Sequence, residues 1–374
     1  MNYRERFSAT LNHAPVDRVP FDLGGTSLSS ANEHVQTRLR EALGVEGASP
    51  GVYTKFDERI LTHLDIDIRR VGTVIQPASD LTRRVSDTET VDCWGIRRRY
   101  TGLYADIVGP PLQGASIDDL ERYPWPKPEN IDKALIERSR IEAKRLSEET
   151  PYVVCGEHPV YGVLELGCWM CGYDDFLLKM AIDEPFVRRF FDIILAYQKR
   201  VIEIYYGAVG RYIHFTTSGD DFGTQQGPLI SPDMFESLIK PYFAERIRYT
   251  KQFTDAAYFH HSCGSIFPII PHLIDAGVDI LNPIQPGVRD MEPAKLKTAY
   301  GEKLVFHGGI DTQHLLRNGT PESVSRGVVD VLGAMRDSGY MLAPAHNIQD
   351  DVPAENIIAM FTAAQCRCAA GKTA

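Results

Sequence analysis

The sequence predicts an α/β chain folded as a (β/α)8 TIM barrel, with one insertion over the barrel mouth. Two observations predict it. Eight short apolar or β-branched runs recur along the 374 residues, each followed by a stretch of helical period. No Gly-x-Gly-x-x-Gly follows a first strand, which leaves a doubly wound open sheet as the runner-up without its signature.

Strands are expected at Val19 to Asp22, Ile68 to Val71, Tyr152 to Cys155, Tyr212 to Thr216, Ala256 to His260, Val278 to Asn282, Leu304 to Phe306 and Tyr340 to Ala343. The helices between them carry clear punctuation. Ser231-Pro232 reads as N-cap and first helical residue before Asp233 to Lys240. Thr320-Pro321 does the same before Glu322 to Asp337, and Gly339 ends that helix. Asp351 to Ala354 opens the last helix, with Pro353 in its first turn. One segment breaks the alternation. Val74 to Pro128 is rich in Thr, Arg, Asp and Pro, and its Ile96 to Tyr104 alternates as a hairpin does. Residues 1–374 therefore read as one domain, with residues 74–128 inserted as a lid over the mouth, or as a packing or homodimer contact.

Composition limits the partners. The formal net charge is −10 without a basic run, which argues against nucleic acid or an anionic membrane. No apolar stretch is long enough to span a bilayer, and the first residues lack a signal-peptide core. Seven cysteines, an odd number, do not make a disulfide framework, so a reducing cytoplasm is expected. Cys168 and Cys171 have metal or redox spacing but neither a second pair nor a thioredoxin-like context. Cys366 and Cys368 do not share a helix face, and ordinary thiols are expected there.

Polar residues collect at the expected carboxyl ends of the strands, where barrels of this kind hold their chemistry. His261-Ser262-Cys263-Gly264 is the most telling. A His and a Cys two apart project to the same side of an extended chain. Imidazole and thiolate together suit zinc, and His346 supplies a third ligand, leaving one position open. Asp220 and Asp221 sit side by side and should face opposite ways. One is a candidate for binding a substrate cation or taking a proton, the other for a cap or salt bridge. Glu157 is a candidate fourth metal ligand, or a group that orients a ligand histidine. His307-Gly308-Gly309 reads as a tight turn whose backbone can approach a ligand. His307, Gly308 and Asn282, from neighbouring strand ends, are the candidates for cofactor contact. Asp22 precedes Gly24-Gly25 and is either a site residue or a turn cap. His260 should face away from His261.

Beyond single residues, the chain resembles the uroporphyrinogen decarboxylase superfamily, and within it the corrinoid-linked methyltransferases. The likeness rests on Arg4 to Phe7 with Asp17 to Asp22, Val91 to Ile96, Tyr123 to Pro128, Asp220 to Pro232, His261 to Gly264, Phe306 to Asp311 and Leu342 to Asn356. It runs from about residue 3 to 365. The resemblance implies a (β/α)8 barrel and one of two chemistries. The decarboxylases work without metal and hold substrate carboxylates with an Arg-rich N-terminal segment. The matching Leu23-Gly24-Gly25-Thr26-Ser27 has no Arg, which argues against a polycarboxylate substrate. The methyltransferases hold zinc with His-x-Cys and a distant third ligand that is often Cys. Here His261 and Cys263 match the pair, and His346 stands at the distant position. The resemblance thus implies methyl transfer between a small substrate (a thiol, a methyl ether or similar) and a corrinoid (cobalamin). The chain has no Asp-x-His-x-x-Gly type motif, so the corrinoid is expected on a partner protein. A metal-independent lyase acting on a small acid is the alternative, and a non-catalytic binding barrel is the third reading.

Overall fold

The computed structural model describes residues 1–45, 56–102, 105–335 and 338–371, except the side chains of 368–371. Tyr104 in the expected hairpin, Asp337 at the end of an expected helix and the Cys368 side chain lie outside the described residues.

Eleven strands form two sheets among the described residues. Seven make a curled parallel sheet: β1 (Ile68–Val71), β6 (Val153–Gly156), β7 (Phe215–Thr216), β8 (Ala257–His261), β9 (Ile280–Ile284), β10 (Val305–Ile310) and β11 (Tyr340–Pro344), in that spatial order. Every neighbouring pair is parallel, in chain order, with helices in between. Strands buried on both faces read as largely apolar runs, which makes most of these visible in the sequence, β1 with Arg69 and Arg70 excepted. One cluster fills the concave face, taking Ile68, Val153, Phe215, Phe259, Ile280, Val305 and Met341 from the seven strands in turn. Phe7 joins it from the helix Tyr3–Leu11, whose start is fixed by the Asn2/Glu5 capping box.

The expected first strand, Val19 to Asp22, differs. It makes a single parallel bridge, Phe21 with Leu342 of β11. Pro20 has no N–H to donate, so a regular ladder cannot run through it. The segment is still held on both sides. Asp22 N–H donates to Leu342 O at 2.9 Å and Asp67 N–H donates to Phe21 O at 3.1 Å. The buried Asp67 carboxylate anchors it further, accepting from Arg18 Nη1 at 2.6 Å and from Phe21 N at 2.9 Å.

The segment at 74–128 folds as the second sheet, antiparallel, in the order β2 (Arg83–Arg84), β3 (Glu89–Val91), β4 (Arg97–Tyr100) and β5 (Ala105–Gly109). The expected hairpin is β4–β5, its tip at 103–104 undescribed. It faces the strand-end loops across a cavity of about 410 Å³, with Tyr100, Gly102 and Ala105 on one side and Asn32, Asn347 and Gln349 on the other.

Helix starts follow their signals. Ser231 Oγ accepts from Met234 N–H, and Pro321–Met335 begins at its proline. The helix expected from Asp233 to Lys240 is interrupted by a π-turn at Phe235–Ile239 before continuing as Lys240–Thr250. The last helix is Ala354–Gly371, so Pro353 precedes its first turn rather than lying in it. No helix among the described residues is long and apolar enough to cross a membrane. The described cysteine side chains are all free thiols.

Candidate metal centre

β8 ends at His261, and the chain then turns through Ser262 and Cys263 at the carboxyl edge of the sheet. β11 delivers His346 just past its own end. The donor atoms of His261, Cys263 and His346 all lie within 4.8 Å of one another. Cys263 Sγ is 3.2 Å from His261 Nε2, and the two imidazole rings stand 5.7 Å apart at 67°. Cys263 and His346 form part of the wall of a cavity of about 860 Å³ at this edge.

The hydrogen bonds behind the trio leave it the right lone pairs. Asp22 Oδ2 accepts from His307 Nε2–H at 2.8 Å. That leaves His307 Nδ1 to accept from Asn282 Nδ2–H at 2.7 Å. Asn282 Oδ1 then accepts from His261 Nδ1–H, so the His261 lone pair is on Nε2, toward Cys263. His346 Nδ1–H donates to Asn347 Oδ1, which likewise leaves Nε2 as its donor atom. A ligand histidine held through its other nitrogen is the usual support of a metal site.

Electrostatics agree with this assignment. Burial holds His261 down to about 4, with Asp221 pulling up and His346 pushing further down, so the ring is the neutral, metal-binding form at neutral pH. Burial, then the negative field of Asp221 and Glu165, pushes the Cys263 thiol well above its ordinary range. A cation is what such a pocket lacks if Cys263 is to be a thiolate. Two imidazole nitrogens and one sulfur at these separations fit zinc with one open position.

The two adjacent carboxylates divide as expected of neighbours. Asp221 turns inward. Its Oδ1 accepts from Cys263 N–H at 2.8 Å and stands 3.5 Å from His261 Nε2. Asp220 turns away and caps the helix Val163–Cys171, accepting from Leu164 N–H at 3.1 Å and Glu165 N–H at 2.8 Å. Burial pushes Asp220 up to about 6 against the pull of those amides and of Arg246. Gly162 makes this approach possible, because a Cβ there would lie 2.1 Å from Asp220 Cγ.

Glu157 is not gathered with the trio. Its carboxylate accepts from Thr217 Oγ1 at 2.6 Å, His158 Nδ1 at 2.8 Å, Ser27 N–H at 2.7 Å and Arg70 Nη1 at 3.2 Å. Burial would raise it, but the His158 bond and charge, Arg70 and Thr217 hold it well below the usual carboxylate range. Those oxygens are spent, so Glu157 is neither a fourth ligand nor a direct support of His261.

The three residues expected to touch a cofactor lie behind the site instead. Asn282 and His307 are fully buried, and their polar atoms are used in the chain of hydrogen bonds above. Gly308, at φ 106°, turns its carbonyl to Tyr340 Oη–H at 2.6 Å. Asp22 caps its turn, accepting from Gly25 N–H at 2.8 Å, and also accepts from His307 Nε2–H behind the trio. His260 faces away, its Nδ1 at 2.9 Å from Ser218 Oγ and its ring against Phe222 and Phe243. Cys168 and Cys171 are buried thiols whose ionisation burial opposes.

Glu165 was not singled out from the sequence. It lies in the first turn of the helix Val163–Cys171, and burial with the charges of Asp221 and Asp220 raises its carboxyl well above the ordinary value. Strand-end reasoning passes over it, and the Gly-x-x-Glu spacing at Gly162 is the one local signal.

An α/β protein with a curled parallel sheet, carrying a His/Cys/His donor set at its carboxyl edge, is the class these features define. The family model for uroporphyrinogen decarboxylase (URO-D) matches residues 104–366. The chain belongs to that family. Among solved structures it is similar to a methyltransferase from Methanosarcina mazei, at 16% identity and TM-score 0.69, over 98% of this chain and 99% of that one. It is also similar to a B12-independent methionine synthase from Shewanella sp. W3-18-1, at 11% identity and TM-score 0.43, over 95% of this chain and 98% of that one. No curated protein matches the sequence. The first likeness bears on the fold.

Proposed function

We propose that this protein is a zinc-dependent methyltransferase that moves a methyl group between a small substrate, such as a thiol or methyl ether, and the corrinoid of a partner protein. The observation that carries this reading is the donor set of His261, Cys263 and His346, within 4.8 Å of one another, two of which, Cys263 and His346, lie in the wall of a large cavity. Family membership is compatible with it, and the Leu23–Ser27 segment favours it over decarboxylation, offering no Arg to a polycarboxylate and directing its Ser27 N–H to Glu157. We read the curled sheet as a (β/α)8 barrel whose eighth stave is the Pro20–Asp22 segment, and the antiparallel sheet as the insertion beside its mouth, where a carrier protein would dock. A cytoplasmic location is part of the same reading.

Within this reading each residue has a defined task. His261, Cys263 and His346 hold the metal. When bound, zinc supplies a Lewis acid that favours loss of a thiol's proton or departure of a heteroatom. Asn282, His307 and Asp22 keep His261 in the tautomer that binds. Asp221 fixes the Cys263 backbone and presents its second oxygen to the substrate as proton acceptor or cation partner. Asp220 and Glu157 shape the loops around the site.

The test is metal content by elemental analysis, with His261→Ala, Cys263→Ala and His346→Ala beside the wild type, followed by methyl transfer from methylcobalamin to a panel of thiols. About one zinc per chain, lost in each variant together with transfer, supports the proposal. A wild type that neither contains nor takes up zinc overturns it in favour of a metal-independent lyase.

A further inference from the structure

The layer between the sheet and its outer helices holds a charged side chain that its neighbours leave unsatisfied. Arg246, in the helix Lys240–Thr250, is 3% exposed. A guanidinium has five N–H groups to place. Here Nη1 donates to Tyr161 O at a long 3.5 Å, while Nε and Nη2 are buried without a partner. Arg246 forms no ion pair among the described residues. Its other near neighbour is the Phe243 ring, whose centre lies 5.5 Å from the guanidinium carbon. A buried charge left in this state is costly, so something must meet those N–H groups.

Acceptors without donors lie around it. The His260 ring stands 4.6 Å from the same Phe243 ring. Ser218 Oγ–H donates to Phe259 O at 3.0 Å, so Ser218 Oγ accepts from His260 Nδ1–H at 2.9 Å. The His260 lone pair is therefore on Nε2, which is buried and has no partner. Gln198 donates Nε2–H to the same Tyr161 carbonyl at 2.7 Å, and its Oε1 is buried and unpaired. Asp220 lies against Gly162, the residue after Tyr161, and the Arg246 charge acts on both Asp220 and His260. The group that completes this cluster must accept from Arg246 and donate to its neighbours. A halide accepts only and would turn its charge on the lone pairs of His260 and Gln198. A cation would oppose Arg246. Water does both, and buried waters have two to four polar partners of this kind.

We infer that Arg246 binds buried water that bridges it to His260 Nε2 and the Asp220 carboxylate, and that through this water Arg246 is a positioning residue for the loop carrying Asp220 and Asp221. The bridge ties three elements together. Arg246 comes from an outer helix, His260 from β8, and Asp220 from the loop after β7. Asp220 in turn holds the start of the helix Val163–Cys171 through the N–H groups of Leu164 and Glu165. Removing the guanidinium would loosen that cap without touching either of its hydrogen bonds. The bridge needs neither metal nor methyl transfer, so it stands or falls apart from that function.

The experiment has two arms. The first is a high-resolution crystal structure of the wild-type protein, with bromide replacing chloride in the crystals. Water should lie within about 2.7–3.2 Å of an Arg246 nitrogen and of His260 Nε2 or an Asp220 oxygen, with no anomalous bromide signal there. A bromide peak at Arg246, or a direct Arg246–Asp220 ion pair without water, overturns the inference. The second arm is amide hydrogen exchange read by mass spectrometry on Arg246→Met and Arg246→Lys. Peptides covering Leu164 and Glu165 should exchange at least about tenfold faster in Arg246→Met than in wild type. Arg246→Lys keeps a charged donor for the water and should restore most of that protection. Peptides from the helix Pro321–Met335 should exchange as in wild type. Unchanged exchange at Leu164 and Glu165, or the same acceleration along the whole chain, overturns the positioning role. If Arg246→Met does not fold, the wild-type structure and Arg246→Lys still decide.

Discussion

Replacing Asn282 with leucine tests whether the hydrogen-bond chain behind His261 sets the metal site. The two side chains are close in size, so the change removes the polar atoms and keeps most of the packing. Asn282 is fully buried, and it bridges His261 Nδ1–H to His307 Nδ1. In the variant both ring nitrogens lose their partner where water does not reach. Each buried polar group left without a partner costs about 1–3 kcal/mol, so folding stability should fall by about 2–6 kcal/mol. Supports of this kind also carry about 10–100-fold in metal affinity. The expected zinc Kd therefore rises by that factor, measured by competition against a chromophoric chelator on protein shown to be folded by circular dichroism. Asn282→Asp keeps the acceptor for His261 and should bind zinc several-fold more tightly than the leucine variant. A folded leucine variant with wild-type zinc affinity would refute the reasoning and reduce the chain of bonds to packing.

The adjacent carboxylates should respond differently. Asp220→Ala removes the cap from Leu164 and Glu165 and should lower stability by about 1–3 kcal/mol with zinc content unchanged, whereas Asp221→Ala should reduce methyl transfer at least tenfold with a smaller loss of stability. Glu157→Gln weakens the buried pairing with Arg70 and His158, and denaturant unfolding should show a loss of about 3–5 kcal/mol. His214, just before β7 and so at the amino edge of the sheet, opposite the His/Cys/His trio, is held down to about 4 by burial and then by Arg4, and it accepts from Val154 N–H. Its native pKa lies below its unfolded value, so the unfolded chain binds the extra proton as pH falls. Stability should therefore be whole above about pH 6.5 and decline toward pH 4, by at most about 3 kcal/mol from this group. His214→Asn should flatten that part of a stability-against-pH curve, and an unchanged slope would count against the assignment.

The seven strands were legible because burial on both faces makes most of them short apolar runs, β1 with its Arg69-Arg70 being the exception, but their ends were not. β9 and β10 continue past the expected ends at Asn282 and Phe306, through Pro283-Ile284 and His307-Gly308-Gly309-Ile310, residues that look like loop in a sequence. That extension is why Asn282 and His307 lie inside the sheet and not at its rim. A position can be read from periodicity, but a hydrogen-bond partner on another strand cannot, so their service to His261 was out of reach. The gathering of His261, Cys263 and His346 was legible because the donor types are rare and the His-x-Cys spacing fixes a shared side. The Asp220/Asp221 division followed from backbone alternation, although which of the two turned inward needed the neighbouring helix. The first strand was overstated, because an apolar run says nothing of the ladder bond that Pro20 cannot make.

Asp22 and His307 share a hydrogen bond across 285 residues of chain. Loop closure over such a distance is entropically costly, and contacts of this range form late in folding. The His261–Cys263 pair leaves the ribosome before His307 and His346 do. It can meet an ion early, but as a loose two-donor clasp with the imidazole free to offer either nitrogen. Only when the beginning of the chain meets its last third does the ring settle and the third donor arrive. If the trio holds zinc as proposed, tight retention of the metal is a checkpoint on completed folding, and a fold left open at the Pro20–Asp22 seam would leak its ion.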